Sequence, residues 1–234
     1  MRIATFNCEW RKPSSPDAAL IRERLLAEEA DVIGLTEAYA EMFQGAGHTV
    51  SCGADYGYRM IPGRRKVLLW SRRPWTQVDL EGHADLPPGR FVAARTETSI
   101  GELAVIGVCV PWTSAHVTTG RRDRRPWEDH LAYLTALAQL LPAKATRTVI
   151  VGDFNQRVPR ARQPRKAFDA LAHTLVDFDW PTAGPISPID RQTIDHIVTS
   201  RDLSAGEVRS ISNLADDGHR ISDHFGVSLQ LSAR

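Results

Sequence analysis

The feature that most constrains this chain is a set of short apolar runs, each tied to a carboxylate, an amide or an imidazole. Ile3 to Phe6 leads into Asn7 and Glu9. Val32 to Leu35 leads into Glu37. Thr148 to Val151 leads into Gly152-Asp153-Phe154-Asn155. Thr193-Ile194 meets Asp195-His196, and Ser222-Asp223-His224 opens a last apolar run. Runs this short, bounded by polar residues, fit buried strands. The pattern predicts strands over 2–8, 31–37, 66–71, 90–98, 102–110, 147–152, 193–199 and 224–231.

Two segments read as helices. In 16–30, Ser15 is a cap, Pro16 suits the first helical position, Asp17 sits in the first turn, and Ala18, Ile21 and Leu25 form one face. In 126–141, Pro126 starts the helix and Pro142 stops it. Its apolar face reads as Leu131, Leu134, Ala138 and Leu141. Strict strand–helix alternation is missing across 48–110, so a mixed α/β sandwich fits better than a doubly wound sheet. No linker or repeat divides the chain, which predicts one domain over residues 1–234.

Composition removes several function classes. Hydrophobic residues make up 42% and charged residues 24%, which excludes wholesale disorder. Lys and Arg number 29 against 28 Asp and Glu, a net charge of +1 that excludes a uniformly basic binder. The balance is uneven along the chain. Most basic residues fall between 61 and 168, and most acidic ones outside. Cys8, Cys52 and Cys109 are too few and too far apart for a disulfide framework or a zinc knuckle. The N-terminus lacks a signal-peptide pattern, and no run approaches the roughly 18 apolar residues of a spanning helix. The expectation is a cytoplasmic protein without a membrane anchor. No protein partner can be inferred.

Oxygen donors gathered at strand ends suit a hard divalent cation. Mg²⁺ takes about six oxygens and keeps several waters, so one or two carboxylates suffice. Mn²⁺ is the alternative ion. Taken singly, each residue also has an ordinary reading. Asn7 can be a turn residue, Glu37 a solvated carboxylate, Asp153 an Asx-turn and Asp195-His196 a buried pair.

Taken together and in order, the motifs Thr5-Phe6-Asn7, Asp31 to Glu37, Gly152 to Asn155, Thr193 to Ile197 and Ser222-Asp223-His224 resemble the endonuclease/exonuclease/phosphatase family. That superfamily includes pancreatic-type deoxyribonuclease, abasic-site endonucleases, sphingomyelinases and inositol-polyphosphate 5-phosphatases. The resemblance implies a four-layer α/β/β/α sandwich of two mixed β-sheets flanked by helices. It implies that Glu37 is the principal metal carboxylate, with Asn7 beside it, Asp223 near a second position and Glu9 as a further acidic candidate. Asp153 would position or deprotonate the attacking water, and Asn155 would hold Asp153 and the phosphate. His224 would face the scissile phosphate, with Asp195 orienting it.

The family pattern breaks at one strand. Many members carry a catalytic His or Tyr near the end of the strand that here reads Val105 to Trp112, where Cys109 stands. Cys109 reads as a buried small hydrophobe. His116, in the following loop, could reach the site or be a surface histidine. Two basic stretches, Arg121 to Arg125 and Arg157 to Lys166, follow candidate catalytic strands. Arg121, Arg124 and Arg157 are therefore candidate phosphate contacts, with a solvated charged loop as the other reading. Trp112 could stack on a base. Trp127 reads more simply as packing its helix against a sheet.

The favoured function is divalent-metal-dependent hydrolysis of phosphate esters, with DNA or RNA as the leading substrate. A small phosphorylated metabolite or lipid headgroup is the enzymatic alternative. A non-catalytic binding protein on the same fold is the alternative of another class.

Overall fold

The apolar runs become eight of the twelve strands of two six-stranded sheets; strands at 48–51, 75–79, 178–179 and 203–211, more exposed and without an apolar run, were not expected. The structure is a computed structural model and describes residues 1–141 and 145–234. In chain order the elements are β1 (Arg2–Asn7), α1 (Pro16–Ala27), β2 (Val32–Tyr39), β3 (His48–Ser51), β4 (Arg64–Ser71), β5 (Trp75–Asp79), β6 (Phe91–Thr98), β7 (Gly101–Cys109) and α2 (Glu128–Leu140). There follow β8 (Thr148–Asp153), α3 (Arg165–Thr174), β9 (Phe178–Asp179), β10 (Pro185–Ile186), β11 (Arg191–Gln192), β12 (Asp195–Ser200), β13 (Leu203–Ile211) and β14 (Gly226–Ala233).

One sheet has the order β13-β14-β1-β2-β4-β3 and the other β5-β6-β7-β8-β12-β9. Both are mixed. β1–β2 and β7–β8 are parallel, and the remaining pairs are antiparallel. Strands β10 and β11 form a separate two-stranded ribbon. Val32, Val67 and Leu69 of one sheet meet Val105, Val151 and Ile197 of the other in a shared core. α1 packs Ala18, Ile21 and Leu25 on the outer face of the first sheet, against Phe6, Ile33 and Leu35. α2 and α3 cover the outer face of the second through Leu134, Leu137 and Leu171. The result is the four-layer sandwich expected. No helix among the described residues is long and apolar enough to cross a membrane.

α1 begins as its sequence predicts, with the Ser15 hydroxyl accepting from the Ala18 amide at 3.2 Å. α2 differs. Trp127, at φ 70°, caps it in a left-handed conformation, and Pro126 lies outside. Its buried face is His130, Tyr133, Leu134 and Leu137 rather than the row of Leu131, Ala138 and Leu141. The reason is polar satisfaction. The Tyr133 hydroxyl donates to the Arg90 carbonyl (2.8 Å), and His130 Nδ1 donates to the Pro111 carbonyl (2.7 Å). Polar residues with such partners can be buried, which a hydrophobic pattern does not register. Trp127 is half-buried and meets His130 edge-on at 4.9 Å. The expected helix stop, Pro142, lies outside the described residues.

α3 was not expected at all. Arg165 and Lys166, assigned to a basic loop, form its first turn. Cations there oppose the helix dipole, so the segment lacks the acidic start signal that α1 shows. Packing of Ala167 and Leu171 stabilises it instead.

Candidate active site

Sheet register explains why the polar strand ends converge. β1 runs beside β2, so Asn7 lies opposite Thr36, next to Glu37. β12 runs against β8 with Asp195 opposite Asp153. β14 runs against β1, which brings the preceding Asp223 and His224 to the Asn7 end. Asn7, Glu37, Asp153, Asn155, Asp223 and His224 all line one cleft of about 240 Å³. Alternation along β12 turns Asp195 toward this group and His196 to the opposite face.

At the floor, Asp153, Asp195 and His224 bring one ligand atom each within 4.8 Å of one another. The His224 Nδ1–H donates to Asp195 Oδ2 at 2.5 Å. Asp195 is 1% exposed. Asp153 is held from both sides by Asn155, whose backbone amide donates to Oδ1 (2.8 Å) and whose side-chain amide donates to Oδ2 (3.0 Å). Burial and the neighbouring Asp195 carboxylate push the Asp153 carboxyl up, against a smaller opposing effect of His224. Burial alone would lower His224. The carboxylates of Asp195, Asp153 and Asp223 outweigh it and raise the imidazole to about 10, so the ring is charged at neutral pH.

The backbone is strained where these groups are presented. Glu37 (φ 50°) and Asn155 (φ 52°) both lie in the left-handed region. A non-glycine residue there costs about 1–3 kcal/mol, and such positions concentrate at functional sites. Gly152, just before Asp153, has φ 136°, and a Cβ there would run into the Val108 carbonyl. Behind the cleft, Gln156 ties two imidazoles together. Its side-chain amide donates to His130 Nε2 (2.7 Å), and its carbonyl accepts from His196 Nε2 (3.0 Å). Burial lowers both histidines to about 4, so both are neutral.

Asn7, Glu37 and Asp223 supply only hard oxygen donors, the chemistry that suits Mg²⁺ or Mn²⁺. Glu37 engages Lys66 Nζ through Oε1 at 2.5 Å, which leaves Oε2 for a second cation. The donor set therefore fits a divalent ion. Asp153 and His224 share the cleft with that set, with their polar atoms engaged by Asn155 and Asp195.

The other candidates divide. Trp112 lines the cleft and is 43% exposed. Arg157 flanks His224 and Asp223 on the outer side. Glu9 does not line the cleft; it pairs with Arg11 (3.0 Å) and accepts from the Asp223 amide (3.1 Å). His116 is neither a cleft residue nor a surface one. It is 4% exposed and stacks on Tyr58 at 4.4 Å. Arg121 and Arg124 turn to Asp123 and Asp129, with Arg124 Nε 2.7 Å from Asp129 Oδ1. Carboxylates of their own loop and of the start of α2 neutralise them. Cys109 is buried, and burial pushes its thiol up to about 12, as suits a packing residue.

Two cleft cations escaped the sequence reading. Lys66 opens an apolar strand and Arg90 precedes another, positions that read as solvated ends. Arg90 is 3% exposed, lines the cleft, and makes no salt bridge among the described residues.

A sequence model of the Endonuclease/Exonuclease/phosphatase family matches residues 4–224. The chain belongs to that family. Solved structures agree on the fold. The endonuclease/exonuclease/phosphatase from Beutenbergia cavernae is 19% identical, with a TM-score of 0.72, over 100% of this chain and 71% of that one. A 3'-5' exonuclease (NExo) from Neisseria meningitidis is 21% identical, with a TM-score of 0.69, over 99% of this chain and 100% of that one. A 3' phosphatase structure from Neisseria, bound to product DNA hairpin, is 20% identical, with a TM-score of 0.70, over 99% of both chains. The comparison with curated proteins returned no match.

Proposed function

We propose that this family member is a divalent-metal-dependent hydrolase of phosphate esters, with a phosphodiester of nucleic acid as its substrate and its 234 residues forming one domain. One observation carries the reading. The proton-holding group of Asp153, Asp195 and His224 shares a cleft with the hard oxygen donors Asn7, Glu37 and Asp223. Solved relatives described as an exonuclease and as a phosphatase bound to DNA support the substrate class.

In this reading Asn7, Glu37 and Asp223 hold the ion. When bound, a divalent cation neutralises phosphoryl oxygens and the leaving oxygen. The protein's own groups do the rest. Asp153 accepts the proton of the attacking water, and its raised affinity for protons suits it to that task near neutral pH. Asn155 fixes the angle of that carboxylate. Asp195 holds His224 by Nδ1, so that the charged ring presents Nε2 toward the phosphate. Arg90 adds a fixed positive charge at the same wall.

The test is a panel of DNA, RNA, bis-p-nitrophenyl phosphate and inositol phosphates, assayed with Mg²⁺ and with chelator. Turnover of nucleic acid is expected with Mg²⁺ or Mn²⁺ and lost in EDTA. Full turnover in EDTA, or turnover of inositol phosphates alone, would overturn it.

A further inference from the structure

A second groove of about 340 Å³ opens beside the cleft and shares Lys66, Arg90 and Trp112 with it. Its other wall is aromatic. Trp10 stacks on Tyr56 (5.5 Å, 22°), and Tyr56 on Tyr58 (6.1 Å, 30°). The buried His116 supports Tyr58 from behind (4.4 Å). Arg64 and Lys66 lie over the Trp10 ring at 4.7 and 5.0 Å. The lining carries four cations, Arg59, Arg64, Lys66 and Arg90, and no carboxylate among the described residues. Two other surface hollows lack this bias. One is lined by Glu29 with Arg72, the other by Asp55 and Glu81.

Trp112 stands apart from that wall. It is exposed, has no ring partner among the described residues, and sits at the lip common to groove and cleft. A large exposed aromatic beside a buried guanidinium that has no carboxylate partner among the described residues suits a ligand with a planar ring on one side and a phosphate on the other.

We propose that the groove is a subsite for an unpaired nucleobase, stacked on Trp112, whose own phosphodiester reaches the cleft past Arg90. The occupant is single-stranded nucleic acid. Inside a duplex, neighbouring base pairs already cover both faces of a base, so a side chain can stack only on one that is splayed out or unpaired. The cations follow the backbone, and the ring gives affinity without sequence preference. The proposal rests on the hydrolase reading for the place of the phosphate.

The test measures binding of the full chain, in EDTA, to a short oligothymidylate, to an abasic oligomer of equal length and to a hairpin duplex. Stacking contributes about 1–3 kcal/mol per base, so oligothymidylate should bind about 5- to 150-fold more tightly than the abasic oligomer. Trp112→Ala should erase most of that ratio, and Trp112→Phe should restore much of it. Equal binding of the two oligomers, a ratio that survives Trp112→Ala, or duplex binding as tight as single-strand binding would each overturn the subsite. The two readings fail separately. Ester hydrolysis without any base preference sinks the subsite alone. Base-dependent binding by a chain that hydrolyses no ester sinks the hydrolase reading and leaves the subsite standing.

Discussion

The two ends of the site, the cleft and the groove beside it, are built by opposite means. At one end, Asp153, Asp195 and His224 sit on adjacent strand ends, nearly dry, with their proton positions set by hydrogen bonds. At the other, Trp10, Tyr56 and Tyr58 come from loops and are held by stacking, while Trp112 stands exposed beside them with several cations. The first arrangement suits chemistry, where a misplaced proton is costly. The second suits grip, where charge and flat surface matter more than exact angles.

The largest break is expected at the dry end. Asp153→Asn should cut turnover by about 10²–10⁴-fold while the protein remains folded. Steady-state kinetics with calorimetry checks this, and a variant as fast as the parent would remove Asp153 as the base.

Acid should act next, through the buried histidines behind the cleft. His130 and His196 are held near a pKa of about 4 by burial, below the usual 6.5. Between those values the unfolded chain binds more protons than the folded one. The share of stability set by this pair should therefore be fully present above about pH 6.5 and be lost as pH drops toward 4, while the raised Asp153 and His224 contribute with the opposite sign. Urea midpoints across that range measure it. A His130→Gln variant should show a shallower slope, and an identical slope would mean that this pair does not set the acid limit.

The smallest effect concerns Lys66, which belongs to both ends. Its ammonium occupies one oxygen of Glu37, so Lys66→Met should tighten divalent-ion binding severalfold by removing a nearby positive charge. Titration calorimetry with Mn²⁺ reads this directly. Unchanged or weaker binding would place the ion away from Glu37.

Much of the dry end was legible in the sequence, because strand ends and their polar residues are local signals. Asn7, Glu37, Asp153, Asn155, Asp223 and His224 do meet, in the order in which the chain presents them. Glu9, His116, Arg121 and Arg124 look equivalent on paper and do not line the cleft, because each has a partner in its own neighbourhood. Proximity in sequence to a strand end says nothing about which way a loop residue turns.

What the sequence determined by itself was the set of buried strands, the capped start of α1 and the placing of oxygen donors at the ends of those strands. Periodicity and capping encode those through contacts a few residues apart. Tertiary structure alone decided that Lys66 meets Glu37, that Arg90 faces the cleft, and that Trp10 stacks on Tyr56 across more than forty residues of chain. Those contacts depend on sheet register and on loop paths, which no local pattern carries.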